Sequence, residues 1–191
     1  MDTTTITLGV IGLLIFISIV LMYNTLIMRR NRVNYALSSI DALLKKRYDL
    51  IPNLVNTVKQ YMRYEQSLLN QLTELRTKVI TGPLQEQERR MIDLEVEKLM
   101  RNILAIAENY PELKASSNFL QLQVALNEVE EQLSAARRAL SASITEYNNA
   151  VKTFPTNIVA KLMNFEELKW YEISEEERKN IDVKNLFNSE E

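Results

Sequence analysis

Residues 6–28 read ITLGVIGLLIFISIVLMYNTLIM, 23 positions without a charge. Coiled as a helix, this stretch is about 34 Å long, against a hydrocarbon core of ~30 Å. A helix satisfies its own backbone, so a segment this long and apolar suits the interior of a bilayer. We therefore expect a transmembrane helix over 6–28. The competing reading is a cleaved secretory signal. That needs a basic region before the apolar run and small residues at a cleavage site. Only Asp2 and a run of threonines precede the segment, and Tyr23, Asn24, Thr25 and Leu26 stand near its far end. Gly9 and Gly12 are three apart, which is not the spacing of a GxxxG dimerisation face.

Flanking charge sets the expected orientation. No Lys or Arg precedes the segment, whereas Arg29, Arg30, Arg32, Lys45, Lys46 and Arg47 follow it. Basic residues stay on the cytoplasmic side, so residues 1–5 are expected outside and the bulk of the chain inside, on the inner (cytoplasmic) membrane. The lipid bilayer is thus the first expected partner. The 23 Lys+Arg against 25 Asp+Glu argue against a nucleic-acid partner. With no Cys and no His, the chain has no disulfide framework, thiol nucleophile, common zinc site or Ser-His-Asp triad. Three glycines leave no room for a dinucleotide or phosphate loop.

Beyond the anchor the apolar residues recur at three and four. Val33, Leu37, Ile40, Leu44, Ile51, Val55, Val58, Met62, Leu69, Leu72 and Val79 form one helical stripe. Its phase persists across Pro52, which predicts a bend in one long helix rather than a reversal. Gly82 and Pro83 end that helix. A second helix is expected over 84–109, with the stripe Leu84, Met91, Leu94, Leu99, Ile103, Ile106 and Tyr110. A third is expected over 114–153, with the stripe Phe119, Leu122, Leu126, Val129, Leu133, Ala136, Leu140, Ile144, Tyr147 and Val151. A short fourth follows Pro155, over 156–164. The expected fold is all-α: an N-terminal transmembrane helix and an antiparallel bundle of three long helices plus a short fourth, over 29–164. The first and third helices would overhang the second, a mismatch we assign to the Pro52 bend or the 156–164 segment. Residues 165–191 hold nine acidic against four basic residues and are expected to be loosely ordered.

The charged pairs Glu128/Glu131 and Glu95/Lys98 read as solvated helix faces. No pair is singled out for acid–base work, so no catalytic residue, metal or cofactor is expected. Asp49, Asn53, Asn118 and Asn148 fall beside apolar stripes, where a polar group needs a partner. They either set helix register or form a recognition surface. In 47–55, RYDLIPNLV, Pro52 takes away the donor that the Tyr48 carbonyl would have in an unbroken helix. Asp49 and Asn53 are near enough to help shape the opened turn, and Arg47 precedes it.

The chain resembles the LemA family of bacterial membrane proteins. The resemblance rests on RNRVNYALSSIDALLKKRYDLIPNLVNTVKQY at 30–61, AENYPELKASSNFLQLQ at 107–123, AARR at 135–138 and YNNAVKTFPTNIVAKL at 147–162. It covers about residues 20–166. It implies an all-helical bundle on one transmembrane helix, without an assigned reaction, and links to envelope stress and a membrane protease. Two departures stand out: Tyr48 where a His is frequent, and a Glu/Arg-rich stretch over 84–99. The functional expectation is a non-catalytic, membrane-anchored scaffold or interaction protein. Its expected partners are other membrane proteins or further copies of itself as a homo-oligomer. The alternative is a regulatory partner of a membrane protease. The candidate interaction or bend residues are Arg47, Asp49, Pro52, Asn53, Asn118, Tyr147, Asn148, Phe154 and Pro155.

Overall fold

The computed structural model describes residues 2–82 and 85–169, and every regular element among them is a helix. They are α1 (Thr3–Lys59), α2 (Gln66–Thr81), α3 (Glu86–Ala107), α4 (Pro111–Lys114), α5 (Ser117–Lys152) and α6 (Thr156–Leu162). The chain divides into two compact units. A central unit comprises Ala36–Arg138, and a terminal unit comprises Met1–Tyr35 with Ala139–Glu191.

The central unit is an antiparallel bundle whose long members are α1, α2, α3 and α5. Arg76 on α2 reaches Tyr48 on α1, so α2 folds back along α1. Arg89 and Glu97 of α3 meet Asp41 and Arg47 of α1 in the same order, so these two helices run parallel. The long first helix expected over 33–81 is therefore two helices. The chain reverses between Lys59 and Gln66, not at Pro52, which lies inside α1. The reversal contains no Gly or Pro. Met62 within it is wholly buried, and the Tyr110 hydroxyl donates to Glu65 Oε1 at 2.8 Å at its end. Tertiary packing supplies what turn residues would otherwise supply. The reversal also removes the overhang: α2 and α3, of 16 and 22 residues, form a hairpin.

Most of the expected core is present, with one slip of face. On α3, Met91 and Leu94 are exposed, while Ile92, Val96, Met100 and Ala107 join Leu99 and Ile103 inside. Leu37 is likewise exposed, and Ala36 is buried in its place. The solvated reading of Glu95, Lys98, Glu128 and Glu131 is met in kind, since none of the four is buried. The expected start of the second helix at Leu84 lies outside the described residues.

The terminal unit contains the apolar start of α1, whose large side chains from Ile6 to Leu21 are exposed to their surroundings. One turn later the situation changes. Leu26 is fully buried with Ala150, Val159 and Ala160, and Met22, Val151 and Phe165 pack against them. Helix α5 runs antiparallel to α1 here, since Leu26 packs with Ala150 while Arg29 and Arg32, further along α1, pair with Glu146, earlier on α5, at 3.5 and 3.2 Å. Helix α6 ends in a Schellman motif. Asn164 takes the left-handed conformation (φ 54°), and the Phe165 amide donates to the Ala160 carbonyl at 2.9 Å. Asparagine tolerates that conformation better than most residues. The start of the expected loose tail is thereby fixed against the helices, while residues 170–191 lie outside the described residues.

Candidate functional site

The turn that Pro52 opens lies on α1 in the central unit. The Tyr48 carbonyl finds its replacement donor across the bundle: Arg76 Nε on α2 donates to it at 3.0 Å. Neither neighbour in sequence does this. Asp49 is exposed and accepts from Lys45 Nζ at 2.8 Å, the i, i+4 pair of a solvated helix face. Asn53 is also exposed. This corrects the expectation that Asp49 and Asn53 shape the turn. Asp49 and Asn53, one and five residues from Tyr48, lie on the exposed face of α1, not against α2. We expect Arg76→Ala to cost about 1–2 kcal/mol by leaving that carbonyl unpaired. In a Pro52→Ala background, where residue 52 regains its amide, the cost should fall below roughly half of that. Denaturant unfolding of the four variants of the full chain reads this coupling. Equal costs in both backgrounds would mean that Arg76 does not act through the freed carbonyl.

One position before Tyr48, Arg47 is completely buried. Its Nη2 donates to Glu130 Oε2 of α5 at 2.6 Å and lies 3.8 Å from Glu97 Oε2 of α3. Glu97 also accepts from Arg101 Nη2 at 2.6 Å and faces Arg137 at 3.8 Å. Asp93, one turn before Glu97, is buried too, and its carboxyl is pushed up to about 6. Loss of water is the main cause; Arg47 and Arg137 pull the other way, and Asp41 and Glu97 add to the rise. Arg47, Asp93 and Glu97 thus lie inside the packed helices, with Arg137 and Glu130 half-buried and Arg101 at the exposed edge. Such a network adds little net stability over an apolar core, but it tolerates only one register, because a shift leaves a charge alone.

Sequence reasoning reached Arg47 and missed its partners. A signal was present: Arg89, Asp93, Glu97 and Arg101 recur every four residues, and two of them sit beside Ile92 and Val96. A charged row is ordinarily the solvated side of an amphipathic helix, so the spacing alone did not reveal that Asp93 and Glu97 face inward.

Two other candidates lie near this turn. Asn53 and Asn118 line one open groove of about 400 Å³ with Asn56, Thr57, Gln121 and Leu122. The groove is dominated by carboxamides, which offer donors and acceptors together and carry no charge. No group of three or more acidic side chains among the described residues is placed to hold a metal ion.

The remaining candidates lie in the terminal unit. Asn148 is buried, and its side-chain amide pairs twice with the backbone of Leu168. Its Nδ2 donates to the Leu168 carbonyl at 2.8 Å, and its Oδ1 accepts from the Leu168 amide at 2.9 Å. The neighbouring Tyr147 hydroxyl donates to the Glu166 carbonyl at 3.0 Å, and burial raises its pKa. These two side chains strap residues 165–168 to α5. Phe154 and Pro155 form the exposed turn between α5 and α6, joined by a cis peptide bond.

The pieces of sequence that build both places are those of a known family. The profile of the LemA family matches residues 36–185. The chain belongs to the LemA family. The match begins at Ala36, the first residue of the central unit, runs on through residues 139–185 of the terminal unit, and leaves out the apolar stretch 6–28. The chain is 26% identical to Protein LemA of Metamycoplasma hominis over 165 residues, covering 86% of this chain and 75% of that protein. It is 21% identical to magnetosome protein MamQ 2 of Paramagnetospirillum magneticum, covering 86% of this chain and 70% of the relative. The similarity to MamQ of Magnetospirillum gryphiswaldense is 20% over the same shares. This LemA family member is thus an all-helical, membrane-associated protein.

Proposed function

We propose that this LemA family member is a single-pass, membrane-anchored interaction protein whose helical part lies in the cytoplasm and engages other membrane proteins. The observation that carries this reading is helix α1. Its apolar side chains from Ile6 to Leu21 have no protein covering them, and the same unbroken helix supplies Arg47 and Pro52 to the central bundle. A partner bound to the bundle is therefore tethered to the membrane through one continuous helix. The basic residues after the apolar stretch support the cytoplasmic placement. The carboxamide groove at Asn53 and Asn118 is an accessible surface for such a partner, and the buried ion network supports it as a fixed platform.

Topology is tested by reporters fused after Glu191. Green fluorescent protein should fluoresce and alkaline phosphatase should be inactive, since the first needs the cytoplasm and the second an oxidising compartment. Active phosphatase would reverse the orientation. Partners are tested by crosslinking mass spectrometry on intact membranes, where crosslinks from the groove to several membrane proteins are expected. Crosslinks to one protease alone would replace the scaffold with a regulatory subunit.

A further inference from the structure

We infer that the turn at Phe154–Pro155 and helix α6 form a second membrane-contact element, seated at the boundary between acyl chains and headgroups beside the anchor. The inference rests on the membrane-spanning reading of α1 and assigns a role to a part of the chain that reading does not use.

Length carries the argument. The uncovered stretch of α1, residues 6–21, rises only about 24 Å, while the hydrocarbon core is ~30 Å thick. Counted from Ile6, the far boundary of the core falls at about Thr25 or Leu26, some 20 residues on. That is where protein begins to cover α1. Leu26 is wholly buried and Met22 partly so, and what buries them is α6, through Val159 and Ala160, with Ala150 of α5 and Phe165. Tilting the anchor lengthens the path through the core and sets α6 deeper, not shallower.

Helix α6 turns Val159 and Ala160 inward, and its outer side carries Ile158 and Leu162, with Phe154 before it and Met163 after it. All four are exposed, Phe154 at 75% and Leu162 at 73%. Apolar groups of this size at that depth meet lipid rather than water. Lys161 stands exposed beside them, suited to lay its stem along the acyl boundary and its ammonium among lipid phosphates. Of the two acidic residues that follow among the described residues, Glu167 is paired with Lys152 at 2.8 Å. The element is firmly seated. Thr156 Oγ1 donates to the Ala150 carbonyl at 2.6 Å at its start, and the left-handed Asn164 closes its end.

A second copy of the chain is a poorer occupant. Four side chains cover far less than the ~1,000 Å² that a specific protein interface needs, whereas lipid has no such threshold.

The chain has no cysteine, so single cysteines can be placed without background. Leu14→Cys, Leu162→Cys and Ala142→Cys each carry a polarity-sensitive fluorophore on the full chain. Each is reconstituted into phosphatidylcholine–phosphatidylglycerol vesicles with and without nitroxide-labelled lipid. Ala142 is exposed on α5, about 12 Å along the helix from Ala150 on the side away from the anchor. Leu14 and Leu162 should shift to the blue and lose at least about half their emission to the nitroxide lipid, and Ala142 should change little. Quenching at Leu14 but not at Leu162 would overturn this inference and leave the anchor reading intact. No quenching at Leu14 would overturn both. Leu162 emission that changes with protein-to-lipid ratio but not with nitroxide would replace lipid by a second copy, and would likewise refute the inference.

Discussion

Replacing Arg47 with alanine should destabilise the central unit by roughly 3–5 kcal/mol, the range for removing one partner of a buried ion pair. For a unit of this size the melting temperature should fall on the order of 15–30 °C. The cost comes from what is left behind. Glu130 loses its 2.6 Å donor, and Glu97, which is largely buried, loses one of the cations around it. Glu97 keeps its desolvation penalty and loses part of its compensation, while Glu130, 36% exposed, is left only half in water. Far-UV circular dichroism of the full chain on heating measures the effect. If the orphaned carboxylate is the cause, adding Glu130→Gln to Arg47→Ala should return part of the loss, because a neutral amide costs less to bury. A loss below about 1 kcal/mol would mean that the network is solvated and the account is wrong.

Asp93→Asn should act in the opposite direction. The Asp93 carboxyl is pushed up to about 6 from 3.8, with burial as the leading cause. A carboxyl with a raised pKa holds its proton more firmly in the folded chain than in the unfolded one. Its contribution to stability is therefore best below about pH 4, declines as pH rises through 4 to 6, and is an unchanging penalty above that. The gap corresponds to about 3 kcal/mol at neutral pH as an upper bound. Asparagine keeps the shape and removes the charge. The variant should be more stable than the parent by up to about 2–3 kcal/mol at neutral pH, and close to it near pH 4. The pH dependence of the difference is the decisive measurement, because the other carboxylates titrate in both proteins and cancel. A difference that is flat with pH would show that Asp93 keeps the same charge state in folded and unfolded chains. These predictions together separate two roles for the network, since Arg47 is needed to compensate buried carboxylates while Asp93 strains the same site.

Helix positions were legible where one local cause dominates. The uncharged run over 6–28, Gly82, Pro111 and Pro155 each act through the backbone or through hydropathy within a few residues. The ends at Thr81 and Lys152 follow from them, whereas the third helix, expected from 114, starts at Ser117 after the short α4 that Pro111 begins. Leu122, Leu126, Val129, Leu133 and Leu140 of α5 repeat so regularly that its buried face could be read directly. The row Arg89, Asp93, Glu97 and Arg101 was visible as spacing but not as burial, because charge on a helix usually marks the solvated side.

Three features were decided only when the helices came together. The reversal between Lys59 and Gln66 has no residue that demands a turn, and it exists because Met62 and the Tyr110–Glu65 bond make it better packed than a continuous helix. The partner of the Tyr48 carbonyl is Arg76, 28 residues along the chain, and no local rule selects it. The face of α3 differs from its apparent stripe by about one position, since Met91 and Leu94 are as apolar as Ile92 and Val96. Local propensity and hydropathy act over one or two turns of helix, whereas the choice among near-equivalent faces and donors depends on groups distant in sequence. That choice is made by packing, which the order of residues constrains only through the completed fold.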